Sequence, residues 1–191
     1  RDWKVRHNTV IDGDTAHLVV GDGDWQLPIP VIKTSSGWQF DMKEAAEEIL
    51  TREIGRNELA AIEALHAYVD AQQSYFAMNQ TYARKIVSSE GKKDGLYWPA
   101  SPGEMPSPLG PAFSPKEPGA GYHGYRFRIL PDKNGFAMVA WPVSYGQTGV
   151  MSFVINQDDK VLQSDLGSDS EQKARALASY APDKTWQPVE P

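Results

Sequence analysis

The four histidines, His7, His17, His66 and His123, are the only side chains of this chain that ordinarily change charge near neutral pH. His66 and Asp70 stand one helical turn apart, so an imidazole–carboxylate pair is available on one helix face. An acid–base dyad also needs a nucleophile or a water site beside it, and the neighbouring sequence supplies neither. An ordinary pair at the edge of a packed helix is the expectation. His7 and His17 fall in strand-like segments and are expected at the surface. His123 stands between Tyr122 and Gly124-Tyr125, directly after a Pro/Gly-rich segment that Tyr97 and Trp98 precede. Aromatic rings at the rim of a loop form flat amphipathic surfaces suited to sugars, peptides or other aromatics. The alternative is that Tyr97, Trp98, Tyr122 and Tyr125 cover the core where the loop leaves it. The ligand-binding set is accordingly Tyr97, Trp98, His123 and Tyr125, with no catalytic residue, cofactor or metal ligand assigned.

Other constellations carry less. The acid pairs Asp12/Asp14, Asp22/Asp24 and Asp158/Asp159 do not continue into a calcium-loop spacing and read as solvated turns. Gly91-Lys-Lys93 lacks the flanking residues of a phosphate-binding loop, and Gly146-Gln-Thr-Gly149 reads as a turn. With no cysteine, thiolate metal sites, disulfides and cysteine nucleophiles are excluded. The net charge of −6 arises from 19 basic against 25 acidic residues without a basic cluster, so nucleic acid is not an expected partner. The longest apolar run, Phe136 to Val143, is interrupted by Pro142 and is too short for a transmembrane segment. Because the chain starts at Arg1, a processed or trimmed N-terminus is expected.

The elements that would position these residues follow from periodicity and turn chemistry. Thr9–Ile11, Ala16–Val20, Trp25–Ile32 and Gly37–Phe40 read as strands of a meander over residues 1–40, joined by Asp12-Gly-Asp-Thr15 and Lys33-Thr-Ser-Ser36. Pro28 and Pro30 cannot donate ladder hydrogen bonds, which predicts an edge strand. Asp41 with Glu44 forms an approximate capping box for a helix ending at Gly55. Asn57 is then read as the cap of a second helix to Met78, with Leu59, Ile62, Leu65, Tyr68, Val69, Tyr75 and Phe76 on its apolar side. Tyr82–Val87 reads as a short third helix, closing a helical region over 41–88. From Pro99 to Gly121, seven of fourteen prolines and four glycines mark a long functional or mobile loop. Tyr122–Leu130, Gly135–Pro142, Gly149–Asn156 and Val161–Gln163 read as strands, and Glu171–Tyr180 as a terminal helix capped by Asp169 or Ser170. Strands at both ends with helices between them predict an α+β fold in a single domain over 1–191. In it, an antiparallel sheet packs on a long central helix, with an N-terminal β-meander adjoining or extending that sheet.

Several ordered runs are familiar: Trp25-Gln-Leu-Pro-Ile-Pro-Val31, Gly37-Trp-Gln-Phe-Asp41, Ile54-Gly-Arg-Asn-Glu-Leu59, Ala67-Tyr-Val-Asp-Ala-Gln72, Asp94-Gly-Leu-Tyr-Trp-Pro99, Ser107-Pro-Leu-Gly-Pro111, Tyr122-His-Gly-Tyr125 and Phe136-Ala-Met-Val-Ala-Trp-Pro142. Through them nearly the whole chain resembles the bacterial exported-protein family catalogued as domain of unknown function 2950. That resemblance implies a periplasmic or secreted protein made with a signal peptide, and it carries no assigned activity or catalytic residue. Between Leu130 and Gly135 the family has a longer insertion rich in Tyr, Asn and Gly, whereas this chain has only Pro131-Asp-Lys-Asn134. Either a tight hairpin or a missing mobile segment is expected there. A second, local likeness runs through Ala71–Tyr75, Thr81–Ala83, Tyr125–Phe127, Gly135-Phe136, Ala140–Pro142, Gly146–Gly149 and Ser152-Phe153. These are similar to C-terminal parts of bacterial pilin-like proteins, which implies a helix-on-sheet architecture and not a pilus role.

The expected function is that of a non-catalytic binding or interaction module of the bacterial cell envelope, with a protein or glycan partner. The alternative is a hydrolase of an envelope polymer, using His123 or the His66/Asp70 pair with a carboxylate from elsewhere.

Overall fold

The computed structural model describes residues 6–23, 25–113, 121–132 and 135–189. Asp24 of the acid pairs, residues 114–120 of the Pro/Gly-rich loop and residues 133–134 of the shortened joint lie outside the described residues. The fold is α+β with antiparallel sheets, and the chain divides into two compact units, Arg1–Glu53 and Ile54–Pro191.

In the first unit, β1 (His7–Asp12), β2 (Thr15–Val20), β3 (Val31–Thr34) and β4 (Gly37–Phe40) form a four-stranded meander in that order. Gly13 supplies the positive φ, 61°, that the first two-residue turn requires. At the second turn, the Thr34 hydroxyl donates to the Gly37 carbonyl at 2.8 Å. The segment expected to be a strand from Trp25 becomes one only at Val31, because Pro28 and Pro30 have no N–H to give to a ladder. The edge assignment is corrected by the same fact. β3 lies between β2 and β4, and the prolines stay just outside it.

A single helix, α1 (Met42–Asn79), follows. Asp41 caps it as expected, its Oδ1 accepting the N–H groups of Lys43 and Glu44 at 3.1 Å each. The helix does not break at Gly55. An internal glycine costs only about 1 kcal/mol relative to alanine, which packing of the following turns outweighs. Asn57 is therefore not a cap, and its side-chain amide donates instead to the Thr148 carbonyl at 3.0 Å. Gln80, at φ 55°, ends the helix by donating its N–H to the Phe76 carbonyl at 2.8 Å.

The second unit is built on a five-stranded antiparallel sheet: β5 (Tyr125–Leu130), β6 (Ala137–Pro142), β7 (Ser152–Asn156), β8 (Leu162–Ser164) and β9 (Gln187–Pro188), in sequence order. β9 was not legible in the Pro-containing tail. Side-chain alternation assigns the two faces of the sheet. Met138 and Ala140 of β6, Phe153 and Ile155 of β7, and Tyr125 of β5 pack with Ala61, Leu65, Tyr68 and Val69 of α1. On the other face Leu130, Ala137, Val139, Trp141 and Val154 pack with Ala174 of α2 (Ser170–Ala176). The helix expected to reach Tyr180 stops at Ala176, where Leu177 turns extended at ψ 112°. On α1, Leu59 and Phe76 are exposed rather than part of the buried face.

The third helix expected over Tyr82–Val87 is absent. Fully buried Gln72 takes both backbone groups of Ala83: its Nε2 donates to the Ala83 carbonyl and its Oε1 accepts the Ala83 N–H, each at 2.9 Å. The same Nε2 reaches the Tyr68 hydroxyl at 3.0 Å, which donates to the Ala137 carbonyl of β6 at 3.1 Å. Held by its backbone in this way, the segment runs without helical structure into a parallel bridge between Val87 and Tyr97.

Candidate functional site

The four residues expected to form a ligand platform take different positions. Trp98 is buried in the core, its indole N–H donating to the Met105 carbonyl at 3.3 Å and the Lys93 ammonium lying 5.6 Å from its ring centre. Tyr97 is partly buried, and its backbone serves the bridge to Val87. Tyr125 is fully buried, packs its ring on Phe153 and donates its hydroxyl to the Met151 carbonyl at 2.8 Å. Burial, with the Glu58 carboxylate nearby, raises this phenol above its ordinary range. A Cβ at Gly149 would overlap the Tyr125 ring and hydroxyl, so this position must be glycine.

His123 and Gly124 are the central residues of a tight turn, with φ of 46° and 72°, closed by paired backbone hydrogen bonds between Tyr122 and Tyr125 at 2.8 and 3.0 Å. Positive φ at both centres is a type I′ pattern, and it holds His123 at an exposed tip with its ring edge-on to Tyr122. The His66 ring reaches Asp159 Oδ1 at 2.7 Å, in place of the Asp70 contact that helical spacing suggested. Both side chains of that pair are half-exposed.

A cavity of about 340 Å³ opens in the second unit where the Pro99–Gly121 segment rejoins the body. Of the four expected residues only Tyr125 lines it, beside Tyr122, Ile86 and Val87. Arg126 and Arg128 of β5, Trp141 of β6 and Arg175 of α2 also face it. The pairing of Arg126 with Trp141 and of Arg128 with Val139 sets both arginines on the α2 face of the sheet. Glu171 bridges two of the cations: Arg126 Nη1 donates to its Oε2 at 2.7 Å and Arg175 Nε to its Oε1 at 2.9 Å. The Arg175 hydrogen bond, with the charge of Arg126, holds the Glu171 carboxyl below its usual range. The Arg175 guanidinium lies 5.5 Å from the Trp141 ring centre. Arg128 Nη2 is engaged with the last carbonyls of α2, donating to Ala174 at 2.7 Å and to Leu177 at 2.8 Å, a favourable place for a cation.

The arginine pair was readable in part, since Tyr-Arg-Phe-Arg-Ile-Leu puts Arg126 and Arg128 on one strand face. Trp141 and Arg175 join them only through the register of the sheet and the docking of α2. Among the described residues no group of three or more His, Cys, Asp or Glu could hold a metal ion. Among them, too, no helix is long and apolar enough to cross a membrane.

In comparison with known proteins, the model of a family described as "Protein of unknown function (DUF2950)" matches residues 1–189. No curated protein and no solved structure matches. The local pilin-like similarity therefore has no structural relative behind it.

Proposed function

The chain belongs to DUF2950, a family of proteins of unknown function, and from that premise we propose that it is a non-catalytic binding module of the bacterial cell envelope. The observation that supports the binding role is the 340 Å³ cavity walled by aromatic rings and arginines. Its size is that of a small-ligand site, and its polar groups are few and grouped on one side. The envelope location rests on the family resemblance. The ligand is a small molecule or the end of a glycan or peptide, entering where Val87, 39% exposed, borders the cavity.

Two experiments test this. Fractionation of cells making the full-length protein should recover it, processed, outside the cytoplasm; unprocessed protein in the cytoplasm refutes the location. Native mass spectrometry after incubation with envelope extract should show a bound mass that Val87→Trp, which fills the cavity, removes. Identical spectra for both proteins refute the binding role.

The His66–Asp159 contact at 2.7 Å favours a second reading, a hydrolase of an envelope polymer. Loss of muralytic or glycosidase activity in His66→Ala, with its thermal transition unchanged, would support it, and an inactive wild-type protein would dismiss it.

A further inference from the structure

The register of the N-terminal meander sorts its side chains onto two unlike faces. Asp12, Thr15 and Gln39 share one face through the pairs Asp12–Thr15, Thr15–Ile32 and Ile32–Gln39. Ala16, Val31 and Phe40 share the other through Ala16–Val31 and Val31–Phe40, and alternation along β2 adds Leu18 and Val20. The segment from Trp25 runs beside β2. The Leu27 N–H donates to the Leu18 carbonyl at 2.8 Å, and the Val20 N–H to the Trp25 carbonyl at 3.0 Å. Leu18 and Val20 of one row and Trp25, Leu27, Ile29 and Val31 of the other line a cavity of about 550 Å³ that lies within the first unit. Ala16 also lines it, and four strand residues separate Ala16 from Val20, a span of about 13 Å. The hollow is thus a trough longer than one side chain. Its aliphatic walls are half-buried, while Trp25 is 53% and Phe40 64% exposed.

Apart from the Trp25 indole, the polar side chains in the lining belong to Thr9 and His17, and among the described residues no Asp, Glu, Lys or Arg lines it. Arg52, 5.9 Å from the Trp25 ring centre, is engaged with Glu48 at 2.7 Å and with the Gln26 carbonyl at 2.6 Å. The occupant that complements such a trough is itself uncharged and apolar. A peptide strand laid along it would find no backbone partner, because β2 is bonded to β1 on one side and to the segment from Trp25 on the other. Two copies meeting here would close two hollows on each other, against the close packing of a stable interface. A bilayer takes up apolar groups that protrude, whereas these line a concavity.

We propose that this trough, separate from the cavity of the second unit, holds the aliphatic chain of a single-chain amphiphile whose head group stays in water. The volume is that of a ligand pocket.

Hexanol, octanol and decanol are the probes, titrated below their solubility limits into the full chain with labelled Ile, Leu and Val methyl groups. The methyl resonances of Leu18, Val20, Leu27, Ile29 and Val31 should move saturably, with affinity rising about three- to four-fold for each added methylene. Decanoate and decyltrimethylammonium, below their micelle concentrations, should bind within about five-fold of decanol, since a charge left in water is screened. Leu27→Glu places a carboxylate in the trough and should weaken decanol about ten-fold or more. Phe40→Ala removes an exposed ring from the lining and should weaken it about three-fold with the fold intact. No saturable shift, an affinity independent of chain length, or unaltered binding in both variants with their β1–β2 amide resonances in place overturns the proposal. So does a response confined to the Ile86 and Val87 methyls, which belong to the cavity of the second unit. The same five residues shifting when the chain alone is concentrated would give the face to a second copy. Equal binding of a blocked leucine tripeptide would give it to a peptide, and co-sedimentation with phosphatidylcholine vesicles that Leu27→Glu abolishes would give it to a bilayer. Each of these three outcomes also overturns the proposal.

Discussion

Strands β1 and β6 are each six residues long, yet every residue of β1 is exposed and every residue of β6 is buried. The contrast extends to the units that contain them. Among the described residues of Arg1–Glu53 the buried side chains are the small ones of Ala16, Pro30 and Ala45, while Ile11, Trp25, Trp38 and Phe40 are exposed. In Ile54–Pro191 the sheet is covered on one face by α1 and on the other by α2. The first unit is held by what is local: tight turns, a continuous ladder from His7 to Val20, and Arg52, which donates to the Gln26 carbonyl at 2.6 Å and lies 5.9 Å from the Trp25 ring centre. The second draws on the removal of large side chains from water, worth roughly 1.5–3 kcal/mol for each one fully buried. Identical substitutions should therefore have unequal effects in the two units.

The largest effect should come from phenylalanine truncation. Phe153 is 1% exposed and Phe40 is 64% exposed. Phe153→Ala should cost about 4 kcal/mol in urea unfolding, and Phe40→Ala less than about 1 kcal/mol. Comparable losses would mean that the meander depends on its apolar face as much as the sheet of the second unit does. Next comes Gln72→Leu, which leaves the N–H and C=O of Ala83 without their partners inside the core. A loss of about 2–3 kcal/mol is expected, together with faster amide exchange from Ala83 to Val87. Unchanged exchange there would show that the segment is held by its backbone hydrogen bonds to Leu96 and Tyr97 and not by Gln72.

Asp41→Ala should be milder, at about 1 kcal/mol, with faster exchange confined to the Lys43 and Glu44 amides. The smallest effect concerns Glu171, whose carboxyl is held below its ordinary range by Arg175 and Arg126. Because its folded-state pKa is lowered, its contribution is complete above the unfolded-state value and is lost as pH falls through the folded one. The gap in urea midpoint between the wild type and Glu171→Gln should thus be widest near neutrality and close as the pH falls below about 4. A gap independent of pH would assign the effect of the variant to packing and not to charge.

Much of this architecture was written in short-range chemistry. Asp41 announced the start of α1 because a carboxylate there can accept two otherwise orphaned N–H groups, and Asp12-Gly-Asp-Thr15 announced a hairpin because glycine tolerates the backbone the turn needs. The apolar runs around Phe127, Val139 and Val154 were legible as strands, and the family as an ordered series of motifs. The continuity of α1 through residues 55–57 was hidden because Gly55 and Asn57 resemble a stop and a cap. Nothing local reveals that Asn57 bonds to Thr148, 91 residues away.

The candidate site divides in the same manner. Local composition marked the return of the Pro/Gly-rich segment as a place for aromatic residues, and Tyr125 does line the cavity there. Whether each ring served packing or recognition was decided by tertiary contacts, which bury Trp98 and Tyr125 and leave His123 at a turn tip. Arg126, Arg128, Trp141 and Arg175 form one wall only because antiparallel register sets β5 beside β6 and α2 covers that face. Turn and cap chemistry acts over a few residues, so the sequence alone determines it. A cavity and the side chains that wall it arise from packing between segments distant in the chain, and the tertiary structure alone determines those.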